Sequence, residues 1–311
     1  MRAISISRFG GPDVLDVVDV ERPEPGPTEV LVRVHAAGVN PVDWKTRAGH
    51  GFASPADLPF VPGWDVSGVV EAVAPGVTRF RPGDEVYGMP RFPNPAGAYA
   101  EYITAPARQL AAKPLNLDHA HAAAVPVAGL TAWQVLVDTA GVGPGHRVVI
   151  HGAAGGVGHL AVQIAKARGA HVTATGRRER RRFLERLGAD EVLDAGRVDF
   201  TRAVRDVDVV LDLVGGEDAA RSMAPLRYGG MLIPMATGGL DLRAAAAARG
   251  VRAVTFLVEP DYASLERLTG LIVGERMTVE VEAILPLAEA PHAHELGERG
   301  GRKGKIVLAV A

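Results

Sequence analysis

The stretch from Arg147 to Arg178, RVVIHGAAGGVGHLAVQIAKARGAHVTATGRR, constrains the rest of the chain. Arg147–His151 is a short β-branched run, suited to a buried parallel strand. Gly152 to Gly158 reads as a tight turn. Val157, Leu160, Ala161, Ile164, Ala165 and Arg168 then recur at helical spacing, with Lys166 off that stripe. Gly169 ends the helix, and His171–Thr175 forms a second strand. A βαβ unit of about thirty residues is the setting in which a glycine turn holds a dinucleotide.

Within the turn, Ala153, Gly155 and Gly158 stand at G-x-G-x-x-G spacing, with Ala in the first place. The first position needs a small residue for the turn. Gly155 lets a pyrophosphate approach the backbone, and Gly158 lets helix and strand pack closely. Gly156 and Val157 complete the candidate phosphate cradle at the helix N-terminus. The turn alone is compatible with a packing role and no ligand. Strand, helix and second strand in succession favour the dinucleotide.

The end of the second strand selects the cofactor. An NAD site places Asp or Glu there, about twenty residues past the motif, to bind the ribose 2′-hydroxyl. Gly176 occupies that place, followed by Arg177 and Arg178. No carboxylate stands there to repel a 2′-phosphate, and two guanidinium groups are in position to grip one. The expected cofactor is NADP. The chain continues ERRRF, so Arg181 and Arg182 read equally well as a solvated helix face.

The chain has 311 residues, enough for two domains. Its apolar fraction of 47% and charged fraction of 23% are those of a soluble globule. A net charge of −2 gives no support for nucleic acid or an acidic membrane. No apolar run reaches the roughly eighteen residues of a membrane span. The N-terminus enters a strand pattern and lacks the apolar core of a signal peptide, so a cytoplasmic location is expected. With no Cys, thiol nucleophiles and Cys-ligated zinc are excluded. Among the ten histidines, only His119 with His121 and His292 with His294 are closely spaced. Residues two apart do not face each other on a helix. All four read as surface or packing residues, and no metal is expected.

Residues 1 to 121 read as all-β. Ala3–Ser7, Leu15–Val20, Val30–Ala37, Val66–Ala74 and Ala98–Thr104 are short strand candidates separated by Pro and Gly clusters. A small barrel or sandwich follows. The segment 38–65 reads as a long functional loop. Residues 118–139 read as helix, Pro126 break, helix, and carry the crossover between domains. Helical stretches at Phe183–Leu187 and Ala219–Leu226 alternate with strands at Glu191–Leu193, Val207–Val214, Gly230–Ala236 and Val251–Val258. Six strands suit the doubly wound order 3-2-1-4-5-6. Ligands bind beyond the carboxyl ends of such strands. Val214, Gly215, Ala236, Thr237, Phe256, Leu257 and Val258 are therefore candidate cofactor contacts. The tail, with a strand at Thr278–Leu285, a helix at Leu287–Arg299 and a strand at Lys305–Val310, returns to the first domain. The expected domains are 1–121 with 274–311, and 122–273.

The segments AAGVNPVDWKTRAG, PGWDVSGVV, GDEVYG, GAYAEY, GLTAW, HGAAGGVGHLAVQIAK, LDLVGG and GRKGKIVL occur in this order. Together they resemble the zinc-independent quinone oxidoreductases, the zeta-crystallin-like branch of the medium-chain dehydrogenase/reductase superfamily. The resemblance covers nearly the whole chain. It implies an α/β protein: a GroES-like β-barrel catalytic domain plus a doubly wound Rossmann domain. It also implies a cofactor cleft between them and a homodimer formed through a sheet edge, here Val251–Val258. Zinc-dependent relatives carry Cys near Asn40 and Gly-His-Glu at Gly63. This chain has Gly63-Trp64-Asp65.

The resemblance further implies NADPH reducing a quinone or an enone. Hydride transfer requires a close, dry approach of nicotinamide and acceptor, and without zinc the acceptor carbonyl must be polarised by hydrogen bonds. Asn40, Asp43 and Lys45 match the family's active-site segment. Asn40 is a candidate for the nicotinamide ribose or substrate, Lys45 for a carbonyl or phosphate, and Asp43 for orienting Lys45 or relaying a proton. In GLTAW, Thr131 matches a residue that approaches the nicotinamide. In GRKGK, Lys305 matches the Gly-Lys pair that reaches the cofactor from the tail. Trp64, Tyr87 and Phe92 are lesser candidates for pocket walls. The rival readings are an NADPH-dependent enoyl or 2-alkenal reductase and a non-catalytic NADPH-binding protein.

Overall fold

The computed structural model describes residues 1–235 and 241–310. Strands β1 (Arg2–Ile6) and β2 (Leu15–Asp19) pair antiparallel. The long strand β3 (Glu29–Val39) leads directly into helix α1 (Pro41–Arg47). Four strands follow: β4 (Asp65–Val73), β5 (Glu85–Gly88), β6 (Tyr102–Pro106) and β7 (Leu110–Ala112). Helices α2 (His119–Ala123) and α3 (Pro126–Trp133) come next, with Pro126 opening α3. Then β8 (Arg147–His151), α4 (Gly158–Ala167), β9 (His171–Gly176), α5 (Arg181–Arg186) and β10 (Glu191–Asp194) alternate. They are followed by α6 (Phe200–Ala203), β11 (Val207–Asp212), β12 (Leu226–Pro234), α7 (Arg243–Ala248) and β13 (Arg252–Ala253). The chain closes with α8 (Tyr262–Val273), β14 (Val281–Pro286), α9 (Ala290–Arg299) and β15 (Lys305–Ala309).

The chain divides into two compact units. One is Met1–Leu130 with Glu259–Glu275 and Val279–Ala311; the other is Thr131–Val258 with Arg276–Thr278. The first seam falls inside α3, beyond residue 121. Residues 259–275 go with the first unit, because α8 is tied to β5: the Tyr87 hydroxyl donates to Leu265 O at 2.7 Å and lies 2.9 Å from Thr269 Oγ1.

In the first unit the sheet runs β14-β15-β3-β4-β5-β7, with β6 also on β3. Its core gathers alternate residues of the strands, including Ile4, Ile6, Val30, Val32, Val34, Val66 and Leu308. Two corrections apply here. The segment read as one loop, 38–65, holds α1, because β3 runs on to Val39 and Pro41 pre-sets the first helical residue. One of the Pro and Gly clusters read as separating strands, RPGDEV at 81–86, ends inside a strand: Glu85 and Val86 open β5, which pairs with both β4 and β7.

In the second unit the order is β10-β9-β8-β11-β12-β13, all parallel. This is the doubly wound order 3-2-1-4-5-6. The central strands β8 and β11 are buried along nearly their whole length, as parallel strands covered on both faces are. The expected strand Val251–Val258 is shorter than the sequence suggested. After Val254 N–H bonds Leu232 O at 3.0 Å the chain leaves the sheet, so Phe256–Val258 lie past the edge strand. The expected helix Ala219–Leu226 is a 3-10 turn over Glu217–Met223, and β12 already begins at Leu226.

Candidate active site

Strand register builds the first part of the site. Gly38 of β3 pairs with Asp65 of β4, and Val39 pairs with Ile306 of β15. Asn40, Asp65 and Lys305 are therefore brought together although the chain separates them widely. Gly38 is needed for this. A Cβ there would stand 2.7 Å from Asp65 Oδ2 and 2.4 Å from Ala123 O. Without it, the Asp65 side chain lies across the strand.

Asp65 is fully buried. Its Oδ1 accepts Val127 N–H at 2.6 Å, and its Oδ2 accepts Asn40 Nδ2 at 2.8 Å and Lys305 Nζ at 3.3 Å. Lys305 Nζ also donates to Val39 O at 3.2 Å and to Asn40 Oδ1. Burial pushes the Asp65 carboxyl above its ordinary range, and the Lys305 ammonium opposes that shift.

A second polar chain runs from Asn40 through α1 to α9. Asn40 caps α1, and Asp43 at the third helical position completes a capping box. Asp43 Oδ2 accepts Asn40 N–H at 2.6 Å and the Tyr99 hydroxyl at 3.2 Å. Tyr99 Oη lies 3.2 Å from His294 Nε2, and Arg47 Nη1 lies 3.2 Å from His294 Nδ1. Arginine can only donate, so Nδ1 accepts and Nε2 carries the ring proton. Arg47 is anchored by Glu298 at 2.7 Å and by Gly10 O at 3.1 Å.

Burial pushes Asp43 up to about 7, and burial beside Arg47 lowers His294 to about 3. Burial and the neighbouring Asp43 charge raise the Tyr99 phenol. Asp43 Oδ1 is buried and has no hydrogen-bond partner among the described residues. A proton on Asp43 therefore belongs on Oδ1, since Oδ2 already accepts two donors.

Of the three residues expected in this segment, Asn40 and Asp43 join the cluster. Lys45 is exposed on the far side of the same helix. Trp64 is buried, donates to Asn94 O at 2.8 Å and packs edge-on against Phe92 at 5.6 Å. Tyr87 is committed to α8, as described above. Thr131 is buried in α3.

In the second unit the glycine turn joins β8 to α4. Ala153 is buried, its N–H bonds Thr175 O at 3.2 Å, and Gly155 N–H bonds Gly152 O at 3.0 Å. A Cβ on Gly158 would meet Gly152 O at 2.4 Å and Ala153 Cα at 2.7 Å, so this position admits only glycine. A Cβ on Gly155 would meet its nearest neighbour at an ordinary 3.4 Å, leaving its outer side open. No side chain caps α4, and of its first N–H groups that of His159 bonds Gly155 O at 3.1 Å.

A cavity of 280 Å³ lies past the end of β9, lined by Gly176, Arg177, Arg178, Arg181, Val192, Asp194 and Arg197. The end of β9 bears Gly176 and no carboxylate, but β10 brings one to the cavity. Asp194 sits beside Gly176 in the sheet register and lines the cavity. Arg197 stands 3.8 Å from its carboxylate, so four guanidinium groups face one acid.

Val214 is exposed, and its N–H and that of Gly215 bond Asp212 Oδ1 at 3.0 and 2.9 Å. Phe256 is half-buried, Leu257 exposed and Val258 buried. The expected contacts Ala236 and Thr237 lie outside the described residues.

Sequence reasoning passed over Asp65, Tyr99, Arg47 and His294. The pairing of His292 with His294 hid the second, because spacing alone cannot separate an exposed ring from an interior one. Asp65 had a local signal, as an acid inside the apolar run VPGWDVSGVV.

Residues 26–115 match the alcohol dehydrogenase GroES-like domain, and 187–308 match a domain described as zinc-binding dehydrogenase. The pig quinone oxidoreductase is 33% identical over 325 residues, covering 99% of this chain and 97% of that protein. The quinone oxidoreductase structure from Coxiella burnetii is 38% identical, with a TM-score of 0.94, and covers 100% of this chain and 99% of the other. A mycobacterial protein, Rv1454c, solved with NADPH, is 34% identical with a TM-score of 0.88 over the whole of both chains. The chain is a medium-chain dehydrogenase/reductase, with a GroES-like domain and a parallel-sheet nucleotide-binding domain. Within that superfamily it belongs to the quinone oxidoreductase, zeta-crystallin-like branch, and it is an oxidoreductase.

The residues present do not fit a zinc ion. The chain has no Cys, and Trp64 stands where a ligand His is expected. Asp65 already holds three donors, one of them an ammonium that would repel a cation. No described group of three or more His, Asp or Glu could hold a metal. No described helix is long and apolar enough to cross a membrane.

Proposed function

We propose that this protein uses NADPH to transfer a hydride to a quinone, without a metal. The cofactor, when bound, supplies the hydride. Members of the superfamily divide between NAD and NADP, so the choice rests on this chain's own residues. The observation that carries it is the arginine-lined cavity past β9, where Gly176 replaces the acid that binds a free ribose 2′-hydroxyl. Arg177 and Arg178 there present planar donors that suit a phosphate. The glycine turn and the uncapped end of α4 suit the pyrophosphate.

Asn40 is the group placed to donate a hydrogen bond to the reacting partners. Its backbone and side chain are both held by buried groups, so it keeps its geometry without reorganisation. Asp43, a buried carboxyl poised near neutrality, is the proton-holding group nearest to it. A fixed hydrogen-bond donor of this kind favours a substrate that develops negative charge on oxygen, as a quinone carbonyl does when reduced.

The test is oxidation of NADPH with 1,4-benzoquinone and with a 2-alkenal as acceptors, and with NADH as the control. Turnover of the quinone with preference for NADPH supports the proposal. Turnover of the alkenal alone replaces it with an enone reductase. Binding of NADPH without turnover of either replaces it with a non-catalytic binder.

A further inference from the structure

We propose that Lys305 and Asp65 are positioning residues that lock the Asn40 amide in one orientation, leaving one Nδ2 hydrogen to donate to an oxygen of the bound cofactor or substrate. The inference rests on the reductase reading above and deepens it. An amide's two ends have nearly the same shape and opposite chemistry. The neighbours of Asn40 decide between them. Lys305 offers only hydrogens, and it faces Oδ1. Ionised Asp65 offers only lone pairs, and it faces Nδ2 at 2.8 Å. The flipped amide would set donor against donor and acceptor against acceptor.

The same count of hydrogens limits what Lys305 can do. Its ammonium has three, and three acceptors surround it: Val39 O, Asn40 Oδ1 and Asp65 Oδ2. It is 4% exposed. No hydrogen is left for a phosphate or a substrate carbonyl, so Lys305 acts through Asn40. Asn40 Nδ2 has two hydrogens and donates one of them among the described residues. Its backbone N–H is pinned by Asp43. One amide hydrogen of fixed direction remains, and an oxygen acceptor is the chemistry that fits it.

The experiment is a double-mutant cycle with Asn40→Ala and Lys305→Met. NADPH affinity is read by fluorescence titration without an acceptor, and kcat and KM with 1,4-benzoquinone. Each single change is expected to lower the same parameter by about tenfold, the worth of one lost hydrogen bond, and the double change to lower it no further. A loss in NADPH affinity assigns the hydrogen to a cofactor oxygen; a loss in kcat with affinity unchanged assigns it to the acceptor carbonyl. Losses that multiply, or a Lys305→Met protein that behaves as wild type, overturn the proposal.

Lys305→Met alone strands a buried acid, so Asp65→Asn with Lys305→Met is the companion. It removes both charges, and it is expected to fold and to keep the functional loss. Full recovery of function overturns the proposal. The two Asn40 side-chain amide protons provide a readout free of turnover. They are expected as one strongly shifted, exchange-protected pair of signals that moves toward the position of a solvated amide and loses protection in Lys305→Met. Unchanged signals overturn the proposal even in a protein that reduces no acceptor. Failure to bind NADPH at all, with the amide signals behaving as expected, instead overturns the reductase reading.

Discussion

Lys305 Nζ and Asp65 Oδ2 lie 3.3 Å apart, with side chains 3% and 0% exposed and 240 positions apart in the chain. Two charges so deeply buried are costly, and their attraction offsets that cost only when other hydrogen bonds complete both partners. Here the remaining partners are Val127 N–H, the Asn40 amide and Val39 O. The pair closes the first unit by tying the final strand to β4 beside the residue that begins α1.

Breaking this pair from one side leaves an uncompensated charge. Lys305→Met is expected to lower stability by about 3–5 kcal/mol, and the neutral double change Asp65→Asn with Lys305→Met by much less. Urea unfolding of the three proteins measures this. Equal losses in the single and double variants would mean that packing, and not charge, sets the cost.

The arginines past β9 are exposed, so their contribution should appear on binding and not in folding. Arg177→Ala with Arg178→Ala is expected to weaken NADPH binding by about 1–3 kcal/mol for each lost charge-assisted contact, with little effect on NADH. Titration of both cofactors against both proteins separates these. An equal loss for NADH would remove the 2′-phosphate from this cavity.

The second unit was largely legible in the sequence, because its signals are local. The β-branched run at Arg147–His151, the glycine turn and the helical stripe after it are each set by neighbours in the chain. The sheet order followed from the succession of elements. The first unit was less legible. Its strands β5 and β7 are only four and three residues long, β5 ends in Gly88, and they are strands only through pairing, β5 with β4 and β7 with β5. Asn40 and Asp43 were visible as a segment, whereas Lys305 was assigned a role facing the ligand that its three acceptors now occupy. Tyr99 and His294 were out of reach. They meet Asp43 through contacts spanning 56 and 195 residues, which no spacing rule reports. Asp194 was missed for a related reason: the register of β10 on β9 brings it to the cavity.

Gly158 tests the packing role of the glycine turn apart from any ligand. A methyl group there would stand 2.4 Å from Gly152 O, against backbone that cannot swing aside. Gly158→Ala is expected to destabilise the second unit by about 1–3 kcal/mol, as overpacking does. Gly155→Ala meets only ordinary contacts and should leave stability nearly unchanged while weakening cofactor binding. Thermal unfolding and NADPH titration of both variants check this. Similar stability in the two variants would mean that the turn relaxes.

The buried chain of Asp43, Tyr99 and His294 makes stability depend on pH in two opposing ways. The Asp43 carboxyl is raised in the folded protein from 3.8 to about 7, chiefly by burial. The folded state then holds its proton more tightly than the unfolded state. Stability from this group is full below 3.8 and is lost as pH rises toward 7, with a slope of up to about 1.4 kcal/mol per pH unit. His294 is lowered from 6.5 to about 3 by burial and by Arg47. The folded state binds its proton more weakly, so this stability is present above 6.5 and is lost as pH falls toward 3. Between about pH 4 and 6.5 the two slopes have opposite signs and nearly cancel. Single changes uncover each one. Asp43→Asn keeps an oxygen for Asn40 N–H and Tyr99, and its stability is expected to rise with pH across that window. His294→Gln removes the other group, and its stability is expected to fall with pH across the same window. Urea unfolding at intervals of about one pH unit measures both, each unit of pKa difference appearing as about 1.4 kcal/mol. Two variant curves running parallel to that of the wild type would mean that neither group changes its protonation on folding. The Asp43 proton would then be unavailable near neutrality, and the proton-holding role assigned to it would fall with it.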